Sequence, residues 1–379
     1  MKYFIIAGEA SGDLHASNLM ASLKRHDSEA DFCFLGGDLM LAQGGKLVRH
    51  YRDMAFMGII SVVKNLDKVL MNMKVCRQQL QEYNPDAVIL VDYPSFNLKM
   101  AKFVKKNMPG VPVYYYISPK LWAWKEYRLK DMRRYVDKVY SILPFEVEYF
   151  GKHGFEVEYV GNPCVDAVES RAHKNESFEE FSARTYVEAG KPIITLLAGS
   201  RTQEINSSLP VMLEAASQFK DYRMVIAGAP SMTEADYADL LSKYGAKVVF
   251  GETYELLQQS ELAVVTSGTA TLETALLEVP QVVIYKMAGG YLLHRILEHI
   301  IRVPFVSLVN LIAGKGVVKE LIMEEVTVDN VVNEMKKLIE PVSRENILSG
   351  YKEIINVLGK EPASDKAAKS LYADLCKKK

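Results

Sequence analysis

The chain lacks any uncharged apolar run of about 18 residues, the length a membrane-crossing helix needs, so no transmembrane segment is expected. Attachment to a membrane surface stays open. Cysteine is scarce: Cys33, Cys76, Cys164 and Cys376 lie far apart and form no Cys-x-x-Cys pair, which points to a reduced, cytoplasmic chain. No excess charge of one sign is present. Lys and Arg number 46 against 47 Asp and Glu, a formal net charge of -1, without the broad basic surface that general nucleic-acid binding requires. Met1-Lys2 leads straight into apolar Tyr3–Ala7 and then a polar loop, too short a pattern for a signal peptide. No Asp-x-Asp occurs, and the histidines form no ligand-like pair beside a carboxylate; His294 and His299, five apart, fall off a common helix face. Neither a metal nor another cofactor is expected.

What is present fits two α/β domains. The 379 residues are 49% apolar and 25% charged, an ordinary globular balance. Short apolar, β-branched runs at Tyr3–Ala7, Ala87–Val91, Val111–Ile117, Lys138–Leu143 and Val157–Val160 alternate with helical patterns such as Leu14–Leu23 and Leu98–Lys106. That alternation predicts a parallel sheet with helices on both faces. The pattern returns at Pro192–Leu197, Arg223–Ala227, Lys247–Phe250, Leu262–Thr266 and Gln281–Tyr285. Polar composition marks 166–190 as a linker between a first domain, 1–165, and a second, 191–342. Helical segments fill 343–379, a tail that packs back on the first domain or on another subunit. The expected fold is α/β: two doubly wound Rossmann-like domains facing a cleft, with ligands at the strand C-termini.

The strongest local signal is Leu196-Leu197-Ala198-Gly199-Ser200-Arg201. A buried strand ending in a small-residue turn and then a helix aims backbone N–H groups at one spot, which favours a phosphate. Arg201 adds a forked, permanent cation suited to diphosphate oxygens. Ser267-Gly268-Thr269, after Leu262–Thr266, opens another helix in the same way. Glu273 falls about one turn inside it, placed to accept hydrogen bonds from a ribose or simply to favour a helix start. Two anion-binding helix starts in one domain make a nucleotide diphosphate the expected ligand.

In the first half, Gly8-Glu9-Ala10-Ser11-Gly12-Asp13 follows the first strand without the Gly-x-Gly-x-x-Gly fingerprint, and Glu9 would repel a pyrophosphate. The turn is either a polar floor for a hydroxyl-rich neutral substrate or a plain glycine turn with an acidic helix start. Asp92, ending Ala87–Val91, should be partly desolvated, which raises a carboxylate's pKa and makes it a better general base; it could instead cap the helix near Asn97. Both tryptophans, Trp122 and Trp124, fall in one strand-end loop, where they stack on sugars or acyl chains or anchor the loop.

These segments occur in a telling order. Gly8–Asp13, Met57-Gly58-Ile59, Asp92-Tyr93-Pro94-Ser95-Phe96-Asn97, Ser118-Pro119 with Trp122-Ala123-Trp124, Pro144-Phe145-Glu146 and Gly161-Asn162-Pro163 come first. Gly199–Arg201, Ser267–Thr269 with Glu273, and Ser307-Leu308 with Asn310-Leu311 and Ala313-Gly314 follow. From Tyr3 to about Leu321 the chain resembles the lipid-A-disaccharide synthases, bacterial glycosyltransferases of the GT-B fold. It departs from them at Ala198, where the family usually has proline, and in Ile60-Ser61-Val62, where it often has an acid, so Ser61 is given no role.

The resemblance implies an inverting transfer from UDP-2,3-diacylglucosamine to 2,3-diacylglucosamine 1-phosphate, giving a β-1,6-linked disaccharide 1-phosphate and UDP. Asp92 would be the base. Arg201 and the helix starts at Ser200 and Thr269 would neutralise the leaving diphosphate without metal, Glu273 would hold the ribose, and Asn310 matches a position that matters for substrate. Gly199, Ser267 and Gly268 complete the UDP set. Ser11, Asp13, Met57, Trp122 and Trp124 are the expected acceptor or acyl-chain contacts. Acylated substrates imply peripheral contact with the inner face of the inner membrane; a homodimer stays open. Phe56 to Met73, and Tyr291 to Arg302, are apolar segments edged with basic residues that suit a bilayer interface or an acyl groove, though a buried core helix has the same pattern. A UDP-sugar 2-epimerase on the same fold is the rival enzyme, and a lipid or nucleotide carrier the non-enzyme alternative; the greasy segment at 56–73 disfavours the epimerase.

Overall fold

A computed structural model describes residues 1–54, 66–122, 126–230, 232–286 and 304–378. The chain divides into two compact units, Met1–Pro163 with Lys360–Lys379, and Cys164–Gly359. The first holds seven parallel strands: β1 (Lys2–Ala7), β2 (Asp31–Gly36), β3 (Lys46–His50), β4 (Ala87–Val91), β5 (Val113–Tyr116), β6 (Lys138–Ser141) and β7 (Glu158–Tyr159), in the order β3-β2-β1-β4-β5-β6-β7. The second holds β8 (Ile193–Leu197), β9 (Arg223–Gly228), β10 (Lys247–Phe250), β11 (Ser260–Thr266), β12 (Gln281–Tyr285) and β13 (Glu320–Ile322), also parallel, in the order β10-β9-β8-β11-β12-β13.

The central strands are largely apolar because helices cover both faces. Along β1 and β4, Phe4, Ile6, Val88 and Leu90 enter one core, while Tyr3, Ile5, Ile89 and Val91 enter the core on the opposite face. This is the two-residue period of a strand buried on both sides. The strands missing from the sequence reading are β2 and the edge strands β3 and β13. β3 is half-exposed and carries Lys46, Arg49 and His50, and β13 has only three residues, so neither shows an apolar run.

The stretch 166–190, expected as a linker, carries helices within the second unit, Phe178–Thr185 among them, with Phe181 buried against Ile193 and Val225. The helical tail separates. Pro341–Leu358 belongs to the second unit, where the Tyr351 hydroxyl donates to Val279 O at 3.2 Å. Ala363–Lys378 closes one sheet face of the first unit, burying Ala367, Ala368, Leu371 and Leu375 against Leu19, Leu23 and Tyr114. The Tyr114 hydroxyl donates to Asp374 at 2.5 Å, and Arg25 pairs with Asp365 at 2.7 Å. No described helix is long and apolar enough to cross a membrane.

Because Leu371 is fully buried in that core, Leu371→Ala should cost about 2–5 kcal/mol. Chemical denaturation would show it as a clear fall in the unfolding midpoint; an unchanged midpoint would contradict the docking of the terminal helix.

Candidate functional site

In each unit the strand order reverses beside the first strand, between β1 and β4 and between β8 and β11. Loops leaving the C-termini of two such neighbours diverge to opposite faces and leave room between them. All the strongest sequence signals fall on these loops. Gly199–Arg201 leaves β8 and Ser267–Thr269 leaves β11, side by side; Gly8–Asp13 leaves β1 and Asp92–Asn97 leaves β4.

In the second unit, Gly199 has φ +105°, the left-handed region open to glycine. A Cβ there would also press on Glu204, whose Oε2 lies 2.6 Å from its position. The helix Thr202–Ala216 starts with Arg201 at its N-cap, and Thr269–Leu276 with Gly268. Neither N-cap provides a side-chain cap. A cavity of about 240 Å³ is lined by Gly199, Ser200, Ser267, Gly268, Thr269 and Glu273. Six expected UDP contacts therefore converge on one space. Gly228-Ala229-Pro230 at the end of β9 and Thr253 also line it; sequence reading missed them, although the Gly-Ala-Pro turn after a strand was a usable signal. Glu273 accepts the Tyr254 hydroxyl at 3.0 Å, and burial raises its pKa above the usual carboxylate range.

Arg201 stands apart from that cavity. Its side chain is 65% exposed, pairs with Glu204 at 3.0 Å, and lines an adjoining depression. Asn310 is 1% exposed and its amide is fully occupied. Nδ2 donates to Val318 O (2.9 Å) and Glu320 Oε1 (2.8 Å), and Oδ1 accepts from the N–H groups of Val317 (2.8 Å) and Val318 (3.0 Å). Glu320 also accepts from Val306 N, Ser307 N and the Ser307 hydroxyl. The Ser267 hydroxyl in turn donates to Val306 O at 2.7 Å. Asn310 thus braces the loop against which the anion-binding turn rests, and its amide has no group left for a substrate.

In the first unit, Asp92 (φ +43°) and Tyr93 (φ +46°) are consecutive left-handed residues, and Ile117, at the end of neighbouring β5, has φ +64°. For a β-branched residue this is a genuine outlier. The turn is held by the Tyr115 hydroxyl on Asp92 O (2.5 Å) and by Asn97 Nδ2 on Asp92 O (2.7 Å) and Val91 O (3.2 Å). Burial raises the Asp92 carboxyl's pKa, opposed by the Lys120 charge and the Tyr93 N–H. Gly8 lies against Tyr93, since a Cβ there would meet the ring at 2.3 Å.

Asp13 accepts from Gly37 N (2.7 Å), Met40 N (3.1 Å) and Leu39 N (3.1 Å), so both its oxygens cap the helix Asp38–Ala42. Ser11 is exposed on the first turn of Ala10–His26. Trp122 donates its indole N–H to Glu146 at 2.9 Å and meets Phe145 edge-on, the loop-anchoring alternative in concrete form. Glu146 is buried, also accepts the Ser141 hydroxyl at 2.5 Å, and has its pKa raised by that burial. Met57, Trp124, and most of the apolar segments 56–73 and 291–302 lie outside the described residues.

Comparison with known proteins adds a family to this geometry. The family model described as Lipid-A-disaccharide synthetase matches residues 3–371. The lipid-A-disaccharide synthase of Myxococcus xanthus (strain DK1622) is 36% identical over 378 residues, covering 98% of this chain and 96% of its own. That of Syntrophus aciditrophicus (strain SB) is 36% identical over 373 residues, covering 96% and 95%. Among solved structures, the UDP-GlcNAc 2-epimerase of Neisseria meningitidis bound to UDP-GlcNAc aligns with TM-score 0.69 at 14% identity, covering 98% of this chain and 99% of its own. The glycotransferase of kitacinnamycin aligns with TM-score 0.66 at 13%, covering 99% of both. At such identities the structural matches establish the fold alone, the two-sheet GT-B architecture.

Removing the Asn310 amide leaves two backbone N–H groups and a carbonyl unpaired, so Asn310→Ala should lose about 3 kcal/mol or more of stability. A denaturation midpoint equal to wild type would refute the bracing role. Glu146 provides a pH test. Its folded-state pKa is raised, so wild type should gain stability relative to Glu146→Gln as pH falls through the raised value towards the ordinary carboxylate range. A difference between the two proteins that does not vary with pH would contradict the burial of an ionisable carboxyl there.

Proposed function

The chain belongs to the lipid-A-disaccharide synthase family and is a glycosyltransferase of lipid A biosynthesis; from that premise we propose that it joins UDP-2,3-diacylglucosamine to 2,3-diacylglucosamine 1-phosphate with inversion. The products are the β-1,6-linked disaccharide 1-phosphate and UDP. The observation that carries the donor side is the convergence of both helix starts and Glu273 on one cavity. N–H groups at Ser200 and Thr269 and the Arg201 guanidinium take the charge that develops on the diphosphate as the glycosidic bond breaks. Glu273 accepts from the ribose hydroxyls.

On the acceptor side, Asp92 takes the proton of the attacking 6-hydroxyl. A carboxylate disfavoured by burial is a stronger base than a solvated one, and its strained turn fixes its direction. Asn310 acts through Glu320 and Val306 as a positioning residue. The Gly8–Asp13 turn receives the acceptor sugar at Ser11, with Asp13 holding the neighbouring loop in place. Leu14, next to Asp13, and Leu39, whose N–H Asp13 accepts, are both exposed apolar side chains suited to an acyl chain. The enzyme works at the inner membrane surface. Leu70 and Met71, 55% and 56% exposed on the helix Leu66–Tyr83, belong to the basic-edged apolar segment that would touch it.

A product assay in detergent with a chelator, read by mass spectrometry, tests this reading. The expected products are UDP and a tetraacyl disaccharide 1-phosphate; release of UDP without disaccharide would overturn the acceptor assignment, and an epimerised donor would restore the isomerase. Asp92→Asn should lower kcat by about 10²–10⁴ with UDP affinity unchanged. In wild type the acid limb of kcat/KM should lie above the ordinary carboxylate range, since the base must be ionised and its pKa is raised. A variant with near-normal kcat would remove Asp92 from the mechanism.

A further inference from the structure

A second depression, of about 320 Å³, adjoins the proposed nucleotide cavity and shares Glu204, Thr266 and Ser267 with it as a common wall. Its remaining lining is Arg201, Gln203, Tyr285 and Lys286. Three neighbouring strands therefore contribute: Arg201 and Gln203 follow β8, Thr266 ends β11, and Tyr285 ends β12 with Lys286 just after it.

Thr266 is the anomaly. It is 7% exposed, yet its hydroxyl has no hydrogen-bond partner among the described residues. Three hydroxyls that follow it in sequence are used: Ser267 on Val306 O, Thr271 on Gly268 O at 2.8 Å, Thr274 on Ala270 O at 2.7 Å. A buried hydroxyl that neither donates nor accepts carries a desolvation cost with nothing to offset it, and such groups call for an explanation. Here the hydroxyl lies on the wall common to both spaces. Charge adds a second pointer. Arg201 is paired with Glu204, whereas Lys286 makes no ion pair with a described residue, so among the described residues the lining carries one positive charge without a carboxylate partner. Burial, with the Glu204 carboxylate adding to it, raises the Tyr285 phenol's pKa and keeps it a proton donor.

We propose that this depression is the glycosyl subsite of the donor: Lys286 binds the phosphate next to the sugar, and Thr266, Tyr285 and Gln203 meet the sugar's hydroxyl groups. The proposal rests on the reading that the adjoining cavity holds a nucleoside diphosphate. Given that reading, the direction follows. Glu273 and Ala229-Pro230 line only the first cavity and mark the nucleoside end. The sugar, covalently joined to the distal phosphate, must leave by the wall that carries Ser267 and Thr266. Lys286 then sits where negative charge accumulates on the leaving phosphate as the glycosidic bond breaks.

Titration calorimetry of the full chain with UMP, UDP and UDP-N-acetylglucosamine tests it. Lys286→Met should weaken UDP and UDP-N-acetylglucosamine by about tenfold and leave UMP nearly unchanged, and Lys286→Arg should restore most of the loss. Thr266→Val, equal in shape without the hydroxyl, should weaken UDP-N-acetylglucosamine more than UDP. Equal losses for all three ligands would make both residues merely structural, and no loss would remove the subsite; either overturns the proposal while the nucleotide reading stands. Failure of wild type to bind any of the three would overturn that reading and this one together.

Discussion

Both parallel sheets reverse strand order beside the first strand of their unit, and the chemistry of the protein depends on what that reversal does to the loops. Strand ends that are neighbours across the reversal send their helices to opposite faces, so the turns between them cannot pack on each other. In the second unit the reversal sets Gly199 and Ser200 beside Ser267, Gly268 and Thr269, and the two helix dipoles aim at one cavity. Glycine at 199 suits the turn itself, whose backbone is left-handed.

The same constraint yields a different site in the first unit. There the turns after β1 and β4 present Ser11 and Asp92 rather than a pair of anion-binding helix starts. Asp92 and Tyr93 occupy left-handed backbone that costs of order 1–3 kcal/mol per residue. The conformation persists because Tyr115 and Asn97 both bond the Asp92 carbonyl. Strain, burial and a nearby Lys120 meet at one carboxylate, a concentration of cost that ordinary packing does not require. The turns of the second unit converge on a cavity, whereas the turn after β4 holds a carboxylate whose pKa burial raises.

Elements governed by local pattern were legible in the sequence. Fully buried strands announce themselves as apolar runs, and small-residue turns after them mark the strand ends where both candidate sites lie. What escaped was decided by partners distant in sequence. Asp13 looks like a substrate contact until Gly37, Leu39 and Met40 are seen to use both its oxygens. Asn310 looks catalytic until Glu320, on a three-residue strand with no apolar pattern, and the backbone of Val317 and Val318 together occupy its amide. The anchoring of Trp122 was equally hidden, since Glu146 takes its N–H and Phe145 meets its ring edge-on. Thr266 escaped for the opposite reason: as the last β-branched residue of a strand it reads as core, and only its unpartnered hydroxyl sets it apart.

The most direct test of the account is a crystal structure with UDP bound. The diphosphate should lie within hydrogen-bond distance of the Ser200 and Thr269 N–H groups, with the ribose on Glu273. A nucleotide seated instead on the Gly8–Asp13 turn of the first unit would contradict the assignment of the two units and the mechanism built on it.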